Sequence, residues 1–395
     1  MRDEMKKVPR LRFRGFSEDW ELCKLEEIVD VRSGRDYKHL GSGNIPVYGT
    51  GGYMLSVSEA LSYDEDAIGI GRKGTINNPY ILKAPFWTVD TLFYTVPKNN
   101  FDLNFIYSIF RKINWKSKDE STGVPSLSKT TINAVTVYIP SGSEQQRIGK
   151  FFKQLDDTIT LHQRKLDQLK ELKKAYLQLM FPKKDERVPK LRFADFEDDW
   201  QLCKLGEVFN LENGFAFQSE YFTMKRTKSI VLTPGNVEIG GGFKNGKGRY
   251  YSSKGKIPKK FIFEPDDIFI TMTDLTPSAQ SLGYPARIPN DEYQYLHNQR
   301  LGKITNFQCD CKFIFQLLCT ERYHKYIVST ASGTTVKHSS VKKILNYKSS
   351  IPLKKEEQRI IGIFFESLDE NINTNQNKLA ILKDLKKSYL QNMFI

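Results

Sequence analysis

Two stretches of the chain repeat a seam at alternating spacings of four and three. The first runs Ile148, Phe152, Leu155, Ile159, His162, Leu166, Leu169, Lys173, Tyr176 and Met180. The second runs Ile361, Phe365, Leu368, Ile372, Asn375, Leu379, Leu382, Lys386, Tyr389 and Met393. This is the heptad period of a coiled coil, and no Gly or Pro interrupts the first stretch after Gly149. Each stretch predicts a helix about 50 Å long at ~1.5 Å per residue, and Pro182 ends the first. The seams match, so the simplest partner for each helix is the other. Antiparallel pairing would set a globular module at either end, related by a pseudo-twofold axis. His162 and Asn375 fall at equivalent seam positions, where a polar residue fixes register at a cost in stability. No second ligand lies at metal-binding spacing from His162.

Between the helical stretches the pattern changes to short apolar runs broken by Gly, Asn and Pro, which read as strands. They are Val47-Tyr48, Ala67-Ile68, Tyr80-Ile81-Leu82, Leu92-Phe93-Tyr94 and Val135-Thr136-Val137-Tyr138-Ile139 in the first half. In the second half they are Ile230-Val231-Leu232, Phe261-Ile262-Phe263, Ile268-Phe269-Ile270 and Leu301-Gly302-Lys303-Ile304. One helix is expected in each half, near Leu103–Ile113 and near Lys312–Tyr326. Both modules are therefore α+β and mostly strand.

The chain also repeats itself. Val8-Pro9-Arg10-Leu11-Arg12-Phe13 recurs as Val188-Pro189-Lys190-Leu191-Arg192-Phe193, and 13 of 22 positions from 8 to 29 are identical at a shift of 180. Residues 148–181 match 361–394 at 20 of 34 positions. Each helix follows an Ile-Pro step (Ile139-Pro140, Ile351-Pro352) and a Glu/Gln/Arg run, Glu144-Gln145-Gln146-Arg147 or Glu356-Glu357-Gln358-Arg359. The sequences between are far less alike, so the frame is copied while the inserts differ. Two fainter echoes remain: residues 64–72 resemble 264–272, and the Gly/Ser/Thr loop 121–129 sits where the second half has 331–339. The boundaries that follow are 1–140, 141–187, 188–350 and 351–395.

Composition narrows the class. The chain has 395 residues, 39% of them hydrophobic, which excludes a disordered protein. No apolar run reaches the ~18 residues that span a bilayer, and five cysteines without a Cys-x-x-Cys suit reduced thiols in a cytoplasmic protein. The net charge of +14 suits a polyanionic partner. Its distribution is uneven: residues 21–140 carry 13 basic and 13 acidic groups, whereas residues 201–350 carry 21 and 12. Residues 141–187 carry 11 and 7.

Motifs for catalysis fail on inspection. Gly69-Ile70-Gly71-Arg72-Lys73-Gly74 spells a dinucleotide fingerprint, but Asn78-Pro79 blocks the helix that must follow. Gly241 to Gly248 approaches a P-loop, yet Gly248 replaces the hydroxyl that holds magnesium. Asn77-Asn78-Pro79-Tyr80 lacks the first proline of the amino-methyltransferase motif, and Pro265-Asp266 has no Asp/Glu-x-Lys nearby. Cys309-x-Cys311 has no partner pair for zinc. Enzyme chemistry is not visible.

A duplicated frame, two divergent inserts and two helices introduced by these runs resemble the specificity subunits of type I restriction–modification systems. The strongest carriers are Pro189-Lys190-Leu191-Arg192-Phe193 with Trp200, and the helices from Ile148 and Ile361. The resemblance implies two target-recognition domains, each reading half of a split, asymmetric site on double-stranded DNA, with helix length fixing the spacer. It implies methyltransferase subunits, two of them, on the helical frame, and restriction/translocase subunits for cleavage. S-adenosylmethionine, ATP and magnesium would then belong to those partners, and this chain would bind no cofactor or metal itself. No membrane is involved.

For DNA contact the loops of module one offer Arg35, Lys38, Arg72, Lys73, Thr75, Ser126, Ser128 and Lys129. Module two offers Lys244, Lys247, Thr271, Thr273, Asn298, Arg300, Lys337, His338 and Ser339. Arg and Asn suit base edges, while Lys and hydroxyls suit phosphate. A self-sufficient DNA methyltransferase and a coiled-coil adaptor that binds protein alone remain the alternatives.

Overall fold

The computed structural model describes residues 7–98, 100–183 and 186–395. The chain divides into two compact units, one holding residues up to Lys165 together with Asn375–Ile395, the other Leu166–Thr374.

The first unit runs β1 (Glu21–Lys24), α1 (Leu25–Ile28), β2 (Val29–Ser33), β3 (Ser42–Gly49), β4 (Gly52–Val57), β5 (Ala67–Gly71), β6 (Tyr80–Leu82), β7 (Trp87–Thr88), β8 (Leu92–Pro97), α2 (Leu103–Lys112), α3 (Lys129–Asn133), β9 (Thr136–Ile139) and the start of α4 (Gly142–Met180). Its strands form sheets ordered β2-β8-β5-β6, β4-β3-β7 and β1-β9.

The second unit runs β10 (Gln201–Lys204), β11 (Asn210–Asn213), β12 (Ser229–Val231), β13 (Arg249–Tyr250), β14 (Ile268–Thr271), β15 (Thr273–Asp274), β16 (Pro285–Arg287), β17 (Gln294–Leu296), β18 (Leu301–Thr305), α5 (Cys311–Leu318), α6 (Glu321–Thr330), β19 (Lys337–His338), α7 (Val341–Leu345), β20 (Lys348–Ile351) and the start of α8 (Lys355–Asn392). Its sheets are β11-β18-β14-β16, β13-β12-β17 and β10-β20, with β15-β19 added.

Strand order is therefore the same in both units, down to a parallel pair in the three-stranded sheet: β3 with β7 and β12 with β17. Inserts with little sequence in common share one fold. Burial explains it: Ala67-Ile68-Gly69-Ile70-Gly71 and Ile268-Phe269-Ile270-Thr271 are buried at every position, and such a strand needs apolar or small residues rather than particular ones.

Two expected elements differ. The helix expected over Lys312–Tyr326 is two, α5 and α6, broken at Cys319-Thr320, where the Thr320 hydroxyl caps α6 by accepting from the Tyr323 amide at 3.4 Å. Phe261-Ile262-Phe263 is not a strand. The Phe261 amide closes a 3-10 turn on the Pro258 carbonyl at 2.9 Å, leaving Ile262 a single bridge to Leu296.

The repeated letters of the frame have a common physical cause. In the first unit the Arg12 guanidinium grips the fully buried Glu144 carboxylate through Nε and Nη2, both at 2.8 Å. Arg192 grips Glu357 in the same way in the second, at 2.7 and 2.9 Å. The next residue, Gln145 or Gln358, donates from Nε2 to the carbonyl of Pro140 or Pro352. Its Oε1 accepts from the backbone of Asp102 or Asp310, the N-cap of α2 or α5. Structural equivalence thus pairs Glu144 with Glu357, one residue later than aligning the two Glu/Gln/Arg runs at their first letters suggests. At Gly149 and Gly362 the long helices touch these caps so closely that a Cβ would fall 2.1 Å from the Asp102 carboxylate or 2.9 Å from that of Asp310.

Each unit contains one half of both long helices, running antiparallel. In the first, Phe151 packs edge-on against Tyr389, and Lys386 bonds Asp156. In the second, Tyr176 packs against Phe364, and Lys173 bonds Asp369 at 2.6 Å. The seam lysines are therefore ion-paired across the two helices. All twenty seam positions are buried or half-buried. His162 keeps its Nδ1 buried without a hydrogen-bond partner.

Candidate nucleic-acid interface

Three loops of each module are tied together by backbone hydrogen bonds at one joint. In module one the chain leaving β5 donates from the Arg72 amide to the Thr91 carbonyl at 2.8 Å. The Arg72 carbonyl accepts from Leu127 at 3.0 Å, and Lys73 bridges to Ser126. In module two the Met272 amide donates to Arg300 at 2.9 Å, the Met272 carbonyl accepts from Ser339 at 3.0 Å, and Thr273 pairs with His338. Position 72 thus corresponds to 272, 91 to 300 and 127 to 339. The first echo, 64–72 with 264–272, keeps its register; the second is displaced by two residues, since 126 matches 338.

A fourth segment reaches the same place. Past β2, Gly34 lies against the Val89 carbonyl, where a Cβ would approach to 2.0 Å, and Arg35 donates its amide to Thr88 at 2.9 Å. Past β11, Gly214 lies against Asn298 at 2.2 Å on the same construction, and Phe215 donates to His297. Only glycine lets these strands pass so near the bend before β8 and β18.

Carboxylates order the loops. Asp119 accepts from the Ser121 and Ser126 amides at 3.0 and 2.9 Å, and these bonds hold its carboxyl below the usual range. Asp274 is nearly buried, which opposes ionisation. The amides and hydroxyls of Thr276 and Ser281, at 2.7–2.8 Å, outweigh that and hold it low.

Arg35, Lys38, Arg72, Lys73, Thr75 and Lys129 are exposed around the module-one joint. The Arg72 guanidinium lies over the Phe93 ring at 5.6 Å. Ser126 and Ser128 are half-buried; the Ser128 hydroxyl caps α3 and donates to Glu120 at 3.0 Å. In module two Arg300 and His338 are exposed and Asn298, Lys337 and Ser339 half-buried. Asn298 accepts from the Arg300 amide at 3.0 Å. Thr271 is fully buried and gives its hydroxyl to the Ser281 carbonyl, so it braces the loop and offers DNA no surface. Thr273 is nearly buried, its hydroxyl 3.1 Å from His338 Nδ1. Lys244 and Lys247 stand elsewhere, on the β12–β13 loop held by Asn236 and Thr233.

Sequence reasoning did not single out exposed Tyr53 and Met54 at the start of β4, just past Thr50, whose Oγ1 a Cβ on Gly74 would meet at 4.0 Å. It also missed the lysines of 254–260. No single-residue signal marks the first; the charge run marks the second. Among the described residues no three His, Cys, Asp or Glu side chains gather as a metal site, and no helix is long and apolar enough to cross a membrane.

The chain thus carries two copies of one α+β module and of one helical frame, with different side chains at an equivalent joint. The chain belongs to the type I restriction modification DNA specificity domain family, whose model matches residues 17–171 and 197–384. It is similar to two specificity subunits of Methanocaldococcus jannaschii. The type I restriction enzyme MjaIX subunit is 23% identical, covering 95% of this chain and 92% of that one. The MjaVIII subunit is also 23% identical, covering 73% and 68%. Among solved structures it matches the type I restriction–modification S subunit from M. genitalium with a TM-score of 0.72 at 15% identity, over 98% of this chain and 99% of that one. Its role is sequence recognition on DNA for a type I restriction–modification system.

Proposed function

We propose that module one and module two each read one half of a split, asymmetric site on double-stranded DNA, and that the length of the long helices sets the unspecified spacer. The observation that carries this is the repeated joint: corresponding backbone hydrogen bonds at 72/272, 91/300 and 127/339, with different side chains on it. A shared backbone with unlike side chains suits two readers of unlike sequences.

The chain is the non-catalytic partner in this reading. Two methyltransferase subunits dock on the duplicated frame, and restriction/translocase subunits join them. The partners bring S-adenosylmethionine, ATP and magnesium, and the complex works in the cytoplasm. Support comes from the duplication itself, since a surface present twice suits a partner present twice.

Mapping methylated positions in DNA from cells that express the complex tests the reading. Replacing residues 21–140 with the corresponding insert of another specificity subunit should change one half of the methylated sequence and leave the other. A change in both halves, or methyl transfer by this chain without added subunits, would overturn it.

A further inference from the structure

The charge of module two is not spread over its surface. Residues 225–260 hold ten Lys and Arg against the single acid Glu238, while the rest of 201–350 holds 11 basic and 11 acidic residues. The whole excess therefore lies in 36 residues. In module one the corresponding sheet, β3 with β4, falls in residues 39–71, which contain no Lys or Arg and four acids. The two modules share the fold of this sheet and differ in its charge.

Folding gathers the charge. β12 and β13 pair antiparallel, and the Thr223 amide donates to Tyr250 at 3.1 Å. The chain after β13 turns back at Gly255, where a Cβ would press on Tyr251 at 2.6 Å. Segments 221–231 and 249–262 thereby wrap one small core of Val231, Tyr251 and Leu296, joined by Ile257 and Ile262. Eight of the ten basic residues lie on these two segments, and the other two, Lys244 and Lys247, on the β12–β13 loop. Arg226, Lys244 and Lys260 meet carboxylates at 3.1–3.6 Å, all on the surface, where such pairs contribute little. Lys225, Lys228, Lys247, Lys254, Lys256 and Lys259 make no ion pair among the described residues. Ringing one core with like charge costs stability unless a polyanion neutralises it.

We infer that this sheet is a sequence-independent grip on the DNA backbone, supplying most of the chain's general affinity for duplex, while the joints discriminate sequence. The inference rests on the DNA-reading role proposed above. Lysines on flexible stems neutralise phosphate without demanding base geometry. A protein partner would need apolar surface at the centre of its contact. Between 221 and 262 the exposed large apolar side chains among the described residues are Met224 and Ile239, on separate segments and not gathered into such a centre.

The test uses the full-length chain and a random-sequence 30-bp duplex, with affinity followed by fluorescence anisotropy as salt is raised. Each phosphate contact contributes about −0.9 to the slope of log affinity against log salt. K254A/K256A/K259A should therefore flatten the slope by about two to three, while K254R/K256R/K259R keeps it and reports that the fold survives. The helix variant K165A/K170A/K174A should change it by less than about one. Preference for the mapped methylation site over random duplex should persist in the alanine variant. A wild-type slope in that variant overturns the grip. So does a wild-type slope with loss of methyltransferase-subunit binding, which would make the patch a protein contact. Absence of salt-dependent DNA binding in the wild-type chain would bring down the DNA-reading role as well.

Discussion

Arg192 closes a two-pronged bond on Glu357, whose carboxylate is almost wholly buried beneath Trp200; the Trp200 indole donates to the same Oε1 at 3.1 Å. The other bond of Arg192 Nη2, to the Asp198 carbonyl at 2.7 Å, folds the entry segment on itself, while the bonds to Glu357 tie that segment to the start of the long helix. Hydrogen bonding to Glu357 raises the affinity of the guanidinium for its proton. The pair joins the two parts of the chain that the sequence copies most faithfully.

Removing one member leaves a buried charge unmatched, which costs about 3–5 kcal/mol, whereas replacing both can be close to neutral. Arg192→Met should therefore destabilise the second unit severely, and adding Glu357→Gln should recover much of the loss. Denaturant unfolding followed by Trp200 fluorescence, in a background with Trp20, Trp87 and Trp115 replaced by Phe, reads this. Equal instability of the single and double variants would show that the ion pair is not what the frame depends on.

Arg300 anchors the module-two joint with its backbone, accepting from Met272 and donating to Asn298, while its side chain stays exposed. Arg300→Ala should lower affinity by about 1–3 kcal/mol only for duplex carrying the correct second half-site. Competition binding against random duplex measures the difference. An equal loss on both would reduce Arg300 to a phosphate contact.

The long helices and the copied frame were legible because both depend on letters. A heptad seam needs apolar residues every three or four positions, and the Arg-to-Glu grip needs those two side chains. The modules were harder to read. Their strands are as short as two or three residues, and β5 and β14 need only to be small or apolar, so their common topology left almost no sequence trace. The equivalence of Thr91 with Arg300 could not be found by letters at all, because backbone atoms make it. Thr271 misled for the opposite reason: a hydroxyl in a polar loop signals an exposed contact, yet here it satisfies a buried carbonyl. The seam lysines showed their place but not their partners, Asp156 and Asp369 on the facing helix.

His297 sets an acid limit on module two. Burial against Phe261 and Phe263 pushes its pKa down to about 4, against the weaker pull of the Leu301 carbonyl 3.0 Å from Nε2. Leu301 can only accept, so Nε2 donates and the ring is neutral in the fold. The unfolded chain takes up a proton near pH 6.5, so stability falls as the pH drops below that value and levels off below about 4. From pH 7 to pH 5 the loss from this residue should be about 2 kcal/mol. His297→Asn should lower stability at pH 7 and flatten the dependence by that amount in denaturant titrations. A dependence as steep as the wild type's would place the acid sensitivity elsewhere.

The helices make the last prediction geometric. Lys386 meets Asp156 in the first unit and Lys173 meets Asp369 in the second, and in both pairs the residue numbers add to the same total. Deleting residues 162–168 and 374–380 together removes one heptad from each helix and preserves every remaining partner across the seam. Seven residues correspond to about 10 Å of helix, and a base pair to about 3.4 Å of duplex. The methylated half-sites should stay the same in sequence while the spacer shortens by about three base pairs. Methylation mapping reads both quantities at once. An unchanged spacer in a complex that still methylates would mean that something other than helix length measures the DNA.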